Sequence, residues 1–224
     1  MNSKTNRSDI KTEPVVTKQE SDSIKDIQLN NDGAVVAGRI HEALGDTAVL
    51  YVFGSGGGLG GPAGGIYERM AIKFQPLGVT SLQLDYRRPG HFEDCVDDVL
   101  FGIEYLSGLA KTKIVLVGHS FGGAVVIRSG ILSDVVAAVA ALSSQTLGAE
   151  KVADLSPKPL LLIHGTGDEV LPYSCSMFLY KEALEPKEMI LYEGCRHGLD
   201  QCRDDLDKAM TSWLTEVLEL DQKA

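Results

Sequence analysis

The stretch Lys113-Ile114-Val115-Leu116-Val117-Gly118-His119-Ser120-Phe121-Gly122-Gly123 carries the densest information in this chain. Its first part is an apolar run of the kind buried on both faces of a parallel sheet. It leads through Gly118, Ser120 and Gly122 into a helix expected from Phe121, which matches G-x-S-x-G in a strand-turn-helix setting. A serine on so sharp a turn leaves no room for side chains two positions away, and glycine answers that constraint. The turn lifts the Ser120 hydroxyl above the sheet. The start of the helix brings the Phe121 N–H, and the positive end of the dipole, beside any negative charge that develops there. Ser120 is therefore the candidate nucleophile and the Phe121 N–H a candidate oxyanion donor. His119 is outside the motif and is expected to pack.

Working outward, strands and helices alternate. Candidate strands fall near Ala34–Ile40, Ala48–Phe53, Thr80–Asp85, Val135–Ala141, Pro159–Ile163 and Lys187–Tyr192. Helices are expected over Gly65–Phe74, Phe92–Leu109, Ser176–Leu184 and Cys202–Leu218. In the second of these, Val96, Val99, Leu100, Ile103 and Leu106 mark one face at helical spacing. Asp94, Asp97 and Asp98 are read as a solvated cluster in its first turns. In the last, Leu206, Met210, Trp213, Leu214 and Val217 do the same for the core. This alternation predicts a three-layer α/β fold with a mostly parallel sheet and helices on both faces. Residues 142–158 are too few for a large cap domain.

A serine hydroxyl needs a base. Of two downstream histidines, His164 ends an apolar strand and reads as packing. His197, in Glu193-Gly194-Cys195-Arg196-His197-Gly198, lies on a loop after the last strand and can reach over the sheet edge. Asp168, in Gly165-Thr166-Gly167-Asp168-Glu169, would accept from the His197 ring and fix its tautomer, with Glu169 as its neighbouring competitor. The glycine loop Gly54-Ser55-Gly56-Gly57-Gly58-Leu59-Gly60-Gly61 would supply a second oxyanion N–H near Ser55 or Gly56.

Gly-His-Ser-Phe-Gly-Gly, His-Gly-Thr-Gly-Asp-Glu-Val-Leu-Pro and Glu-Gly-Cys-Arg-His-Gly-Leu stand in the order found in the α/β-hydrolase superfamily. Over about residues 34–218 the chain resembles its small cap-less members, such as dienelactone-hydrolase-like proteins and related serine esterases. The segment Leu84-Asp85-Tyr86-Arg87-Arg88-Pro89-Gly90 is also similar to a loop of that family. The resemblance implies hydrolysis of a small-molecule acyl substrate (an ester, thioester or amide) through an acyl-enzyme, without metal or organic cofactor. One departure is Phe53-Gly54, where many members open the oxyanion loop with His-Gly.

Two other readings compete. Gly56 to Gly61 also satisfies G-x-G-x-x-G between a strand and a helix. Asp85 stands where a ribose-binding acid of an NAD(P) enzyme would, and Arg87 and Arg88 could meet a 2′-phosphate. Alternatively, the same fold could serve a ligand-binding protein with slow or no turnover. Cofactor-free perhydrolase chemistry is a variant of the hydrolase reading.

Bulk properties set the frame. The chain has 224 residues, 44% of them hydrophobic, enough for one domain with a real core. Net charge is −10, and residues 1–26 balance five basic against five acidic groups, so the deficit lies on the folded part and disfavours nucleic acid. Residues 1–24 read as a disordered polar tail and 25–224 as the domain. The opening MNSKTNRSDIKTEPVV has no apolar centre like that of a secretory signal. No run approaches the roughly 20 apolar residues of a membrane helix. The expected location is the cytosol, with Cys95, Cys175, Cys195 and Cys202 as reduced thiols.

Overall fold

A computed structural model describes residues 14–31 and 34–220. Nine strands form one sheet: β1 (Val15–Gln19), β2 (Ile24–Asn31), β3 (Ala34–His41), β4 (Thr47–Val52), β5 (Thr80–Asp85), β6 (Lys113–His119), β7 (Val136–Leu142), β8 (Leu160–Gly165) and β9 (Lys187–Tyr192). Their order is β1-β2-β3-β5-β4-β6-β7-β8-β9. The six strands from β5 to β9 across the sheet are parallel, and β1, β2 and β3 add an antiparallel edge. The helices are α1 (Pro62–Phe74), α2 (Phe92–Gly108), α3 (Phe121–Leu132), α4 (Ser174–Glu182) and α5 (Arg203–Val217).

The central strands are apolar on both sides because both sides are covered. In β4, Ala48, Leu50 and Val52 enter one core with α2, α3 and α4. Val49 and Tyr51 enter the other, with α1 and α5. Along α5, Leu206, Met210, Trp213 and Leu214 are buried at helical spacing, each worth about 1.5–3 kcal/mol of burial. This is the three-layer α/β arrangement the alternation predicts, without a large cap.

The sheet has a switch point where β4 lies between β5 and β6. The chain leaves β4 toward one side and returns through α2 to the other. Loops that follow β4 and β6 therefore diverge around a crevice at the carboxyl ends of adjacent strands, the place where open α/β sheets bind ligands.

Two expectations require correction here. The sequence predicts a disordered tail over 1–24, but Val15–Gln19 is a strand paired antiparallel with β2. All five of its side chains are exposed, so it is held by backbone hydrogen bonds that leave no hydropathy signal. Residues 1–13, which hold the rest of the expected tail, lie outside the described residues. Asp98 is not solvated: it is fully buried, accepts the Arg87 backbone N–H at 2.9 Å and pairs with the Arg87 guanidinium. Burial raises its pKa against the pull of that arginine. Among the described residues no helix is long and apolar enough to cross a membrane.

Candidate active site

Ser120 sits between β6 and α3 with φ 58° and ψ −122°, a left-handed backbone that a non-glycine residue holds only where its surroundings enforce it. The glycines show how they do so. A Cβ on Gly118 would overlap the Gly122 carbonyl, and one on Gly122 would overlap the Phe53 carbonyl at the end of β4. Two strand ends and a helix start thus meet backbone to backbone. The Ser120 N–H is tied to Leu142 O of β7 at 2.8 Å.

His197 reaches Ser120 from the loop after β9, its Nε2 lying 3.0 Å from the Ser120 Oγ. Its Nδ1 lies 2.7 Å from the Asp168 Oδ2. A carboxylate only accepts, so Nδ1 carries the proton and Nε2 presents its lone pair to the serine hydroxyl. The loops after β8 and β9 are fused at the backbone: Gly167 N–H donates to Cys195 O at 3.0 Å and Gly194 N–H to Thr166 Oγ1 at 2.9 Å. Gly165 is glycine because any Cβ there would run into the Cys195 carbonyl.

Asp168 has no side-chain solvent exposure. Burial works to raise its pKa. That effect is outweighed by the hydrogen bond to His197 and by the Leu171 and Val170 N–H groups, so the carboxyl stays below the usual range. Both N–H groups reach Oδ1 at 2.8 Å. Its competitor Glu169 is exposed.

The structure also gives partners to two histidines read as packing residues. His164, fully buried, lies with Nε2 2.9 Å from Asp168 Oδ2 and 3.1 Å from Leu171 O. Both are acceptors, so Nε2–H is the donor and Nδ1 accepts from Ser176 Oγ at 2.7 Å. Burial lowers the His164 pKa, which suits a neutral ring. His119 donates through Nε2 to His197 O at 2.9 Å. Its ring lies against the His197 ring with centroids 4.8 Å apart. Burial pushes its pKa down to about 4. The only sequence signal for either was a histidine at a strand end, a position that packing explains equally well.

Gly54 is the glycine-loop residue that meets Ser120: a Cβ built there would lie 3.5 Å from the Ser120 Cβ and 3.8 Å from its Oγ. Ser55 and Gly56, the expected second donors, are exposed beyond it. The Phe121 N–H opens α3, where a helix offers no acceptor of its own. The geometry goes against the dinucleotide reading. Asp85 Oδ1 accepts the Gly58 N–H at 2.6 Å and Gln83 Oε1 the Gly60 N–H at 2.9 Å, so the would-be ribose acid is filled by its own loop. Ala63, Gly64 and Gly65 are left-handed, so α1 presents no regular first turn to a diphosphate. Arg87 is engaged by Asp98.

The four-thiol expectation is also corrected. Cys195 and Cys202 form a disulfide, with Cα atoms 6.0 Å apart. The turn from His197 into α5 folds the chain back on itself, bringing the two within bonding range. Cys95 and Cys175 are free.

With this geometry in place, comparison with solved structures decides the fold. The chain overlays Est1E from Butyrivibrio proteoclasticus with a TM-score of 0.72 at 18% identity, covering 87% of this chain and 99% of that one. It overlays the esterase domain of a Rhodothermus marinus protein with a TM-score of 0.70 at 17% identity, covering 86% and 98%. The chain has the α/β-hydrolase fold. No protein-family model matches it. Among curated proteins, the chain is 34% identical over 123 residues to acyl-protein thioesterase 1 of Neurospora crassa, covering 50% of this chain and 49% of that protein. It is 33% identical over 118 residues to the uncharacterized protein YfhR of Escherichia coli K12, covering 42% of each. The chain spans about half the length of the curated relatives it matches, or less.

Proposed function

We propose that this protein is a serine hydrolase that cleaves a small ester, thioester or amide through an acyl-enzyme on Ser120. The observation that carries this reading is the hydrogen-bonded line from Ser120 Oγ to His197 Nε2, and from His197 Nδ1 to Asp168 Oδ2, at 3.0 and 2.7 Å. Nucleophile, base and orienting acid at those separations, on a strained strand-to-helix turn, support acyl transfer. The partial similarity to a protein named acyl-protein thioesterase supports thioesters as members of the substrate class.

In this mechanism Ser120 Oγ attacks the substrate carbonyl carbon as its proton passes to His197 Nε2. The imidazolium is stabilised by the Asp168 carboxylate. Negative charge on the carbonyl oxygen is taken up by the Phe121 N–H and by a second N–H from Ser55 or Gly56. Collapse breaks the bond to the leaving group, which takes the proton from His197. Water then attacks the acyl carbon as it gives a proton to His197, and collapse breaks the bond to Ser120 Oγ, which takes that proton from His197 as the acid leaves.

Rapid mixing with p-nitrophenyl acetate followed by acid quench and peptide mass mapping tests this. The expected result is an acetyl group on the peptide containing Ser120, absent in Ser120→Ala. Turnover by Ser120→Ala at the native rate would overturn the proposal.

A further inference from the structure

A cleft of about 680 Å³ opens beside the Ser120 turn. The Ser120 carbonyl accepts the Gln145 N–H at 3.4 Å, which ties the segment forming one wall to the nucleophile turn. Phe92, Phe121 and Leu147 give the cleft an apolar lining. The Phe92 and Phe121 rings meet edge to face with centroids 5.9 Å apart. The lining also holds four charged residues, Glu93, Arg128, Glu150 and Lys151.

Arg128 follows Phe121 by seven residues on α3. That is nearly two helical turns, so the two share a face and Arg128 stands roughly 10 Å farther from Ser120. Its side chain is half-buried. Arg39, Arg69, Arg87 and Arg88 each meet a carboxylate. Among the described residues Arg128 has no hydrogen-bond or ion-pair partner. Glu93 and Glu150 line the same cleft without reaching it. Glu150 is instead turned back on its own loop, both its oxygens accepting the Gly148 N–H at 3.0 Å. A guanidinium partly withdrawn from water, in a cleft with an apolar lining, offers a fork that matches a carboxylate. The two cations and two acids of the lining cancel, which favours a singly charged group over a doubly charged phosphate.

We infer that the substrate carries, on one arm, an apolar body ending in a carboxylate that Arg128 receives. The inference rests on the hydrolase reading and specifies its substrate class. Arg128 is then a specificity-determining residue: it acts far from the reacting atoms, so it contributes equally to ground and transition states and appears in KM.

Two ester series test this, one with the carboxylate on the acyl arm (p-nitrophenyl monoesters of straight-chain dicarboxylic acids) and one with it on the alcohol arm (acetates of straight-chain hydroxy acids). Each is compared with its methyl-capped neutral analogue and with an analogue ending in phosphate, in the native protein, Arg128→Gln and Arg128→Lys. The readout is the ratio of kcat/KM for charged and neutral members. In one series the native protein should favour the carboxylate by about tenfold or more, the scale of a charge-assisted hydrogen bond. The ratio should pass through an optimum as the chain lengthens and arise in KM. It should fall to near one in Arg128→Gln and partly return in Arg128→Lys. No preference for the carboxylate, a greater preference for phosphate, or a preference that survives Arg128→Gln would overturn the inference while leaving the hydrolase reading intact. No hydrolysis of any ester, together with no acyl adduct on Ser120, would overturn both.

Discussion

Each oxygen of Asp168 accepts two hydrogen bonds, Oδ1 from Val170 and Leu171 N–H, Oδ2 from His197 and His164. That arrangement keeps the carboxylate ionised although it is buried, and leaves one orientation for the His197 ring. Asp168→Asn exchanges an acceptor for a donor at one position and favours the wrong tautomer of His197. On the proposed mechanism kcat should fall by about 10³–10⁴ with KM little changed, as steady-state kinetics on p-nitrophenyl acetate would record. His119 makes a different prediction. An unfolded histidine takes up a proton near pH 6.5, whereas buried His119 resists until about 4. The unfolded state therefore binds more protons in that window. The stability contributed by the neutral ring is complete above pH 6.5 and is lost as pH falls toward 4, about 2 kcal/mol of it by pH 5. Urea unfolding at pH 7 and pH 5 should show a smaller acid loss for His119→Gln than for the native protein, whatever the variant's baseline. An unchanged acid loss would remove His119 as its source.

At the level of elements, the site is made by loops that follow β4, β6, β8 and β9, and those loops carried the glycines and polar residues that made them legible in the sequence. The meeting of Ser120, Asp168 and His197 was legible because parallel strands end at one edge, so residues just past those ends must converge. His164 and Ser176 were not, because their role consists of contacts across two elements that periodicity does not encode. Asp98 was misread for the same reason: its counter-charge, Arg87, lies on the preceding loop, and helical phase alone cannot supply a partner. Val15–Gln19 was missed because its order comes from backbone pairing with an exposed outer face. The Cys195–Cys202 disulfide closes the loop that carries His197, at a sequence separation of 7. Closing so short a loop contributes about 2 kcal/mol in the chain-entropy account. Replacing both cysteines with serine should lower urea stability by about that amount and reduce kcat as the His197 loop loosens. The native protein treated with reductant should behave like the double variant.

At the scale of the molecule, one sheet order explains both where the site lies and how it is reached. The switch point between β5, β4 and β6 sets the glycine loop against Ser120, and β8 and β9 bring Asp168 and His197 to the same edge. The three-layer architecture followed from the alternation of apolar runs with amphipathic ones. The antiparallel edge could not be read in full, since β1 adds no buried side chain. The cleft along α3 also escaped the sequence, because a passage depends on which side chains leave space unfilled. The 142–158 segment lines that cleft through Gln145, Leu147, Gly148, Glu150 and Lys151.

The central claim is that Ser120 is an activated nucleophile served by His197. Labelling with a fluorophosphonate probe tests it most directly, with the native protein, Ser120→Ala and His197→Ala compared after circular dichroism has verified that each is folded. The account predicts one label per native chain, none in Ser120→Ala and a sharp loss of labelling rate in His197→Ala. A folded native protein that takes no label, or labelling that persists in Ser120→Ala, would contradict it.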